Sequence, residues 1–275
     1  MRIFVRHETT YRYSEPARFA IQNLLLTPRN YEGQHVRRWR VEVDKDCPLR
    51  EREDAFGNIQ HSLSADGPFA SLTTLVEGEV ETFDTAGVVR GAVERFPSVL
   101  YLRETALSAP DMALRDFARR IGAVGANSLE RLHALNAEIH TTMRFDAAAT
   151  HSGTTAAQAY AHREGVCQDF SHVFVAVART LGIPARYVGG YFHRSDGVSA
   201  QSAGHAWAEA YLEDLGWIGF DPTHGMCSGE AYIRVAVGLD YLGAAPVRGA
   251  RTGGGAETLE VSLDIASATQ HQSQS

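Results

Sequence analysis

The sequence predicts an α+β protein, with an N-terminal antiparallel β domain followed by a core in which helices precede strands. Three observations carry this. Apolar and polar residues alternate with period two in several segments of the first 85 residues. Helical spacing takes over from about Pro110, and short strands resume after Pro184.

The first strand is read from the apolar and polar alternation in Met1-Arg2-Ile3-Phe4-Val5-Arg6-His7-Glu8. Val36 to Asp44 and Val76 to Glu81 repeat the pattern, and Asp54-Ala55-Phe56-Gly57-Asn58 is a turn whose Gly57 and Asn58 tolerate positive φ. One buried face is expected for each of these strands. Residues 86–103, with Pro97, form a connector. Met112, Leu114, Phe117 and Ile121 then make a helical stripe that stops near Gly122 and Gly125, and Ser128 to His140 forms a second helix around Leu129, Leu132, Leu135 and Ile139. Thr154-Thr155 starts a short capped helix. A further helix opens at Cys167, with Phe170, Phe174, Val177 and Leu181 on one face. Ala185 to Phe192 is a strand, His193 to Gly204 a polar loop, and Ala206 to Leu212 a strand that begins beside His205. Gly216 to Phe220 pairs with it as a hairpin ending at Asp221. Gly253-Gly254-Gly255 is a turn before the amphipathic strand Thr258 to Ile265, and residues 266–275 are expected to fray.

Composition narrows the possible functions. The chain has 275 residues, 44% hydrophobic and 21% charged, as ordinary globular proteins do. No apolar run approaches the ~18 residues of a membrane span, and the N-terminus lacks the apolar core of a signal peptide, so a cytoplasmic location is expected. A net charge of −7 without a long basic run argues against nucleic acid as a partner. Residues 191–275 carry four Arg against ten Asp and Glu, so if they surrounded the site they would favour cationic or neutral substrates. Of the 26 basic residues only Lys45 is a lysine, which reads as compositional bias. Cys47, Cys167 and Cys227 are too few and too dispersed for a disulfide framework or a zinc site.

The chemistry concentrates in three short segments. In Gly165-Val166-Cys167-Gln168-Asp169-Phe170 the cysteine sits in a first helical turn, where free N–H groups and the helix dipole favour a thiolate. His205 in Gly204-His205-Ala206-Trp207 and Asp221 in Asp221-Pro222-Thr223 lie at adjoining ends of two antiparallel strands. A thiolate that attacks an acyl carbon, an imidazole that moves the proton and a carboxylate that fixes the imidazole tautomer need these residue types. Gln168, Asp169 and Trp207 are secondary candidates for contact with substrate or oxyanion, although Asp169 reads first as an N-terminal acid and Trp207 as packing beside the histidine. His172, His193 and His224, taken with His205 and Cys167, have irregular spacing, and no metal is expected. No calcium loop is present, and no cofactor is expected.

These segments resemble the bacterial transglutaminase-like family of the papain-like thiol enzyme superfamily. The resemblance extends to His7-Glu8-Thr9-Thr10-Tyr11-Arg12-Tyr13, Leu26-Thr27-Pro28-Arg29 and Asp54-Ala55-Phe56-Gly57-Asn58 in the β domain, and to the stretch from Asp240-Tyr241 to the triple glycine. It implies a β domain over residues 1–90, a helical connector over 91–150 that belongs to the catalytic domain, a transglutaminase-like core over 151–250, and a C-terminal strand over 251–275 that returns to the β domain. It further implies acyl transfer through a thioester on a peptide or protein substrate, with Cys167, His205 and Asp221 catalytic. Water is favoured as acceptor because an amine has to be bound and shielded from hydrolysis. The alternatives are an amine-accepting transglutaminase and a non-catalytic peptide-binding module. Animal transglutaminases stabilise the oxyanion with a tryptophan upstream of the cysteine. Here Trp39 lies in the β domain and Trp207 and Trp217 follow Cys167, which leaves the Cys167 backbone N–H as the expected donor.

Overall fold

A computed structural model of the protein describes residues 1–267. In chain order, the β domain contributes β1 (Arg2–Thr27), β2 (Gln34–Val43), β3 (Arg50–Glu53) and β4 (Ile59–Thr82), followed by the short β5 (Val88–Val89). Helices α1 (Met112–Gly122) and α2 (Ser128–Thr142) precede β6 (Arg144–Phe145), α3 (Ala156–His162), β7 (Glu164–Gly165) and α4 (Cys167–Thr180). Then come β8 (Ala185–Phe192), β9 (Ala200–Gln201), β10 (His205–Leu212), β11 (Gly216–Asp221), β12 (Met226–Cys227) and β13 (Tyr232–Gly238). A single helical turn, α5 (Tyr241–Ala244), leads to β14 (Val247–Gly253) and β15 (Glu257–Ser267).

The first sheet is organised around β1. Its first half pairs with β15 and its second half with β14, while β4 pairs along its other side. A register shift near Ala17 changes which residues face inward. Ile3, Val5 and His7 are buried before it, and Ala20, Gln22 and Leu24 after it. A bulge moves the pleat by one residue, so Phe19 and Ile21, apolar in an alternating stretch, face outward. Gly253, Gly254 and Gly255 all adopt positive φ in the turn from β14 to β15, a conformation open to glycine.

The second sheet has the order β12-β11-β10-β8-β13, with β5 pairing β11. On one of its faces lies α4, enclosed further by α1, α2 and α3. Leu114, Phe117, Leu132, Leu135, Ile139, Phe170, Phe174, Val177 and Phe220 share this core. Burying each such side chain is worth about 1.5–3 kcal/mol. From Gln168 to Arg179 every α4 residue is buried, so this helix belongs to the interior on all sides. Thr155 caps α3 with Gln158 in the reciprocal arrangement expected of that pair.

Several expectations are corrected. Met112 is 70% exposed, because as the first residue of α1 it projects beyond the stripe that Leu114, Phe117 and Ile121 bury. The connector supplies β5, and the loop from His193 supplies β9, which pairs with β15 of the first sheet. Ala266 and Ser267 pair with Phe4 and Ile3 in β15 rather than fraying, and the rest of that tail lies outside the described residues. Asn58 does not adopt positive φ; Gly57 alone does so in its turn.

Two buried side-chain amides join the sheets along β13. Gln34 accepts from the Arg234 N–H (2.8 Å) and donates to the Arg234 carbonyl (2.9 Å). Asn58 does the same with Val237, both bonds at 2.8 Å. Each amide thus completes backbone bonding that a neighbouring strand would otherwise supply.

Glu209 on β10 is fully buried, paired with Arg186 of β8 at 2.6 Å and Arg234 of β13 at 2.7 Å. Burial disfavours its charge, yet the two guanidiniums outweigh that and hold the carboxyl down at about 2. Glu209→Ala should destabilise the fold by about 3–5 kcal/mol in urea unfolding, since it leaves the Arg234 guanidinium without its carboxylate and the buried Arg186 with Glu94 alone. Breaking the more exposed Arg251–Glu257 pair should cost less than about 1 kcal/mol. Because the folded carboxyl is depressed, the Glu209 contribution should be present above roughly pH 4.3 and disappear as pH falls to about 2.

Candidate active site

Cys167 is the first residue of α4, and its position is set by the turn before it. Asp169 Oδ2 accepts from the Val166 N–H at 2.9 Å and from the Thr150 hydroxyl at 2.6 Å. A Cβ on Gly165 would come within 2.5 Å of that same oxygen, so this carboxylate requires glycine there. Val166 has no side-chain oxygen with which to cap the helix, which leaves first-turn amides available to a ligand.

Facing the cysteine, His205 begins β10 and Asp221 ends β11, brought side by side by the antiparallel pairing of these strands. His205 Nε2 lies 2.7 Å from Asp221 Oδ2, so Nδ1 is the nitrogen left for the Cys167 sulfur. Burial lowers the tendency of His205 to hold a proton. The charge and hydrogen bond of Asp221, helped by the Cys167 side chain, overcome this and raise it to about 10. Asp221 is itself wholly buried. Its Oδ2 also accepts from His224 Nδ1 (2.7 Å) and the Tyr232 hydroxyl (2.8 Å), and its Oδ1 from the Thr223 and His224 N–H groups (2.9 and 3.3 Å). Burial favours the neutral acid, but His205 and His224 hold the carboxyl well below the usual range.

The structure therefore brings Cys167, His205 and Asp221 together and adds His224 and Tyr232, which sequence reasoning did not assign. A histidine three residues after Asp221 was the available signal for the first; nothing local marks Tyr232. The secondary candidates separate. Gln168 lines the cleft and its amide donates to the Ser152 carbonyl at 3.3 Å. Asp169 is 1% exposed and anchors the cysteine turn and Thr150 instead of reaching the cleft. Trp207 is also 1% exposed and lies behind His205, its ring near parallel at 6.2 Å.

The cleft, about 730 Å³, lies between the two sheets. Cys167, His205, Tyr187 and His224 line it from the second half of the chain, and His7, Leu25 and Leu26 line it from β1. His7 is fixed by the Tyr191 hydroxyl at 3.0 Å and Thr9 at 3.1 Å, and burial lowers it to about 4. Among the described residues no Asp or Glu lines the cleft, and Arg194 does. The acidic excess of residues 191–275 thus lies outside the cleft wall, so the condition under which it would favour cationic or neutral substrates over acidic ones is not met there.

His205, Asp221 and His224 place one donor atom each within 4.8 Å of one another. This is the set that could hold a metal among the described residues, although the 2.7 Å separations fit proton-sharing pairs. His172 lies outside it, buried and accepting from the Tyr241 N–H at 3.0 Å.

A cysteine at a helix N-terminus, opposed by a histidine and an aspartate on an antiparallel sheet, defines a thiol-dependent catalytic fold. Comparison with known proteins agrees. Residues 3–81 match the bacterial transglutaminase-like N-terminal region, and residues 115–222 match the transglutaminase-like superfamily. An uncharacterized protein of Mycobacterium leprae is 30% identical, the alignment covering 96% of this chain and 98% of that one. The chain belongs to the transglutaminase-like superfamily. The crystal structure of a putative cysteine protease from Cytophaga hutchinsonii shares the fold, with a TM-score of 0.79 and 22% identity over 98% of this chain and 91% of that one. A protein-glutamine gamma-glutamyltransferase of Pseudomonas aeruginosa is 35% identical over 72 residues, 22% of this chain and 10% of that protein.

Burial raises the Cys47 and Cys227 thiols, with Asp46 and Asp44 adding to the effect at Cys47. Iodoacetamide at neutral pH should therefore label Cys167 faster than either, and peptide mapping that finds equal labelling would remove the main reason for singling it out. In Asp221→Asn the burial of His205 loses its main opposition. The imidazole should then titrate below the ordinary ~6.5 rather than near 10 in an NMR pH titration.

Proposed function

We propose that the protein is a thiol-dependent acyl-transfer enzyme that cleaves peptide or glutamine-type amides, with water as the principal acceptor. The observation that carries this reading is His205, held by Asp221 on one ring nitrogen and interacting with Cys167 at the wall of a cleft. A peptide-binding module would have no use for a thiol–imidazole–carboxylate set so arranged.

In this reading the Cys167 sulfur attacks the acyl carbon and His205, protonated at neutral pH, gives its proton to the departing amine. The thioester remains on Cys167. Neutral His205 then takes a proton from water, which attacks the thioester and releases the acid and the Cys167 thiolate, restoring the starting pair. Asp221 keeps the imidazole in one tautomer and stabilises its charged form; its five donors keep the carboxylate ionised throughout. No step requires a metal.

The transglutaminase reading is kept because of the aligned 72 residues of the Pseudomonas aeruginosa protein. It differs in the second step alone, an amine replacing water. The two are separated by offering a glutamine-containing peptide with excess primary amine and analysing the products by mass spectrometry. The free acid should dominate, the activity should survive EDTA, and Cys167→Ala should abolish it. Saturable incorporation of the amine as the main product would reverse the ranking.

A further inference from the structure

We propose that the Tyr187 hydroxyl donates a hydrogen bond to the oxyanion formed during attack by Cys167, beside the Cys167 backbone N–H. This rests on the acyl-transfer reading above and supplies a donor that the sequence alone leaves unassigned.

The placement follows from strand register. Tyr187 pairs directly with Ala208, and Gly190 with His205. Directly paired residues project to the same face of a sheet and successive residues to opposite faces. Tyr187 and Ala208 therefore point toward α4, in keeping with the place of Ala208 in the helix core. His205 starts on the other face, with Trp207 and Asp221. Cys167, at the tip of α4, packs against the cluster that contains Tyr187 and Tyr191 while its side chain also interacts with His205. Base and phenol thus stand on different faces of the sheet near the cysteine, as attack on a carbonyl demands: the base handles the proton, and the oxygen that gains charge lies away from it.

The hydroxyl is free for this task. Tyr187 is 3% exposed and lines the cleft, yet among the described residues its oxygen makes no hydrogen bond. Several other polar groups of the wall are engaged: Tyr191 with His7, Gln168 with Ser152, His224 with Asp221. The hydroxyls of Tyr241 and Ser202 also line the cleft, but of the two phenols, Tyr187 and Tyr241, it is Tyr187 that feels the Cys167 side chain. The Thr223 hydroxyl is unpartnered, but it lies two residues after Asp221, on the side of the base. The ring of Tyr187 is fixed by His172 at 5.2 Å and by the edge of Tyr241 at 6.2 Å. Burial, and then the nearby Cys167 charge, keep the phenol protonated far above neutral pH, so it acts as a donor.

In the step proposed, a bond forms between sulfur and the acyl carbon, and the carbonyl π pair moves onto oxygen. The Tyr187 O–H and the Cys167 N–H bind that oxygen without losing their protons. When the pair returns, the C–N bond breaks and the amine leaves with the proton from His205.

The test compares two reactions of the same sulfur, using p-nitrophenyl acetate as acyl probe and iodoacetamide as alkylating probe. Alkylation passes through no oxyanion; acylation does. Tyr187→Phe should slow the nitrophenolate burst by roughly 10²-fold, the usual effect of one lost oxyanion donor. Its alkylation rate should stay within about twofold of the parent. A burst at the parent rate overturns the proposal, and so does a parallel fall in both rates, which would mean that Tyr187 acts on the thiol. If the parent protein gives no burst dependent on Cys167, it is the acyl-transfer reading that fails. Should Tyr187→Phe not fold, 3-fluorotyrosine at position 187 tests the same point. A stronger donor there should speed acylation and leave alkylation unchanged, and an unchanged acylation rate overturns the proposal.

Discussion

The site depends on a carboxylate that has been taken out of water. Asp221 is buried at the end of β11, where an isolated charge would be severely destabilised. It is tolerated because five donors converge on it from His205, Thr223, His224 and Tyr232. This arrangement couples β10, β11 and β13 at one corner of the sheet. It also holds His205 in an orientation that leaves its other nitrogen for the tip of α4. Position and charge state at the corner are therefore one problem with one solution, and a change to any donor is felt at the imidazole.

The cleft is equally a product of the whole chain. The helix-and-sheet half supplies the sulfur, imidazole and carboxylate, but His7, Leu25 and Leu26 of β1 form part of the wall opposite. Short elements assist from a distance. β6 and β7 pair so that Phe145 lies beside Gly165, two residues before Cys167, and Phe145 joins the lining while remaining 56% exposed. Thr150 and Ser152, on the loop that follows β6, are tied to Asp169 and Gln168. The cysteine turn and one lip of the cleft are thus a single hydrogen-bonded unit.

What could be read from the sequence was local. Cys167 announces a helix start because Gly165 precedes it and Phe170, Phe174 and Val177 follow at helical spacing. The β10–β11 hairpin is legible because only Leu212 to Gly216 separates two alternating runs, and this alone brings His205 near Asp221. Thr155 and Gln158 show their cap at a three-residue spacing. The rest was set by contacts distant in sequence. The alternation of Ala206-Trp207-Ala208-Glu209-Ala210 suggests a wet face at Glu209, yet that face is covered, and Arg186 and Arg234 neutralise a charge no local rule would bury. Tyr232 reaches Asp221 across eleven residues and a crossover, and His7 reaches the cleft across nearly two hundred. The bulge near Ala17 hides which residues of β1 face inward, since a period-two pattern does not reveal a shift of one.

The amide bridges at β13 bear on how this chain can be divided. A strand at the margin of a sheet offers its N–H and C=O groups to any passing chain. Along β13 that invitation is withdrawn at Arg234 and Val237 by Gln34 and Asn58, both contributed by the opposite end of the polypeptide. A gene fragment encoding only the cysteine, histidine and aspartate half would restore an open margin and remove one wall of the cleft together. The two halves are chemically one object, and shuffling them apart would yield a sticky sheet with half a cleft.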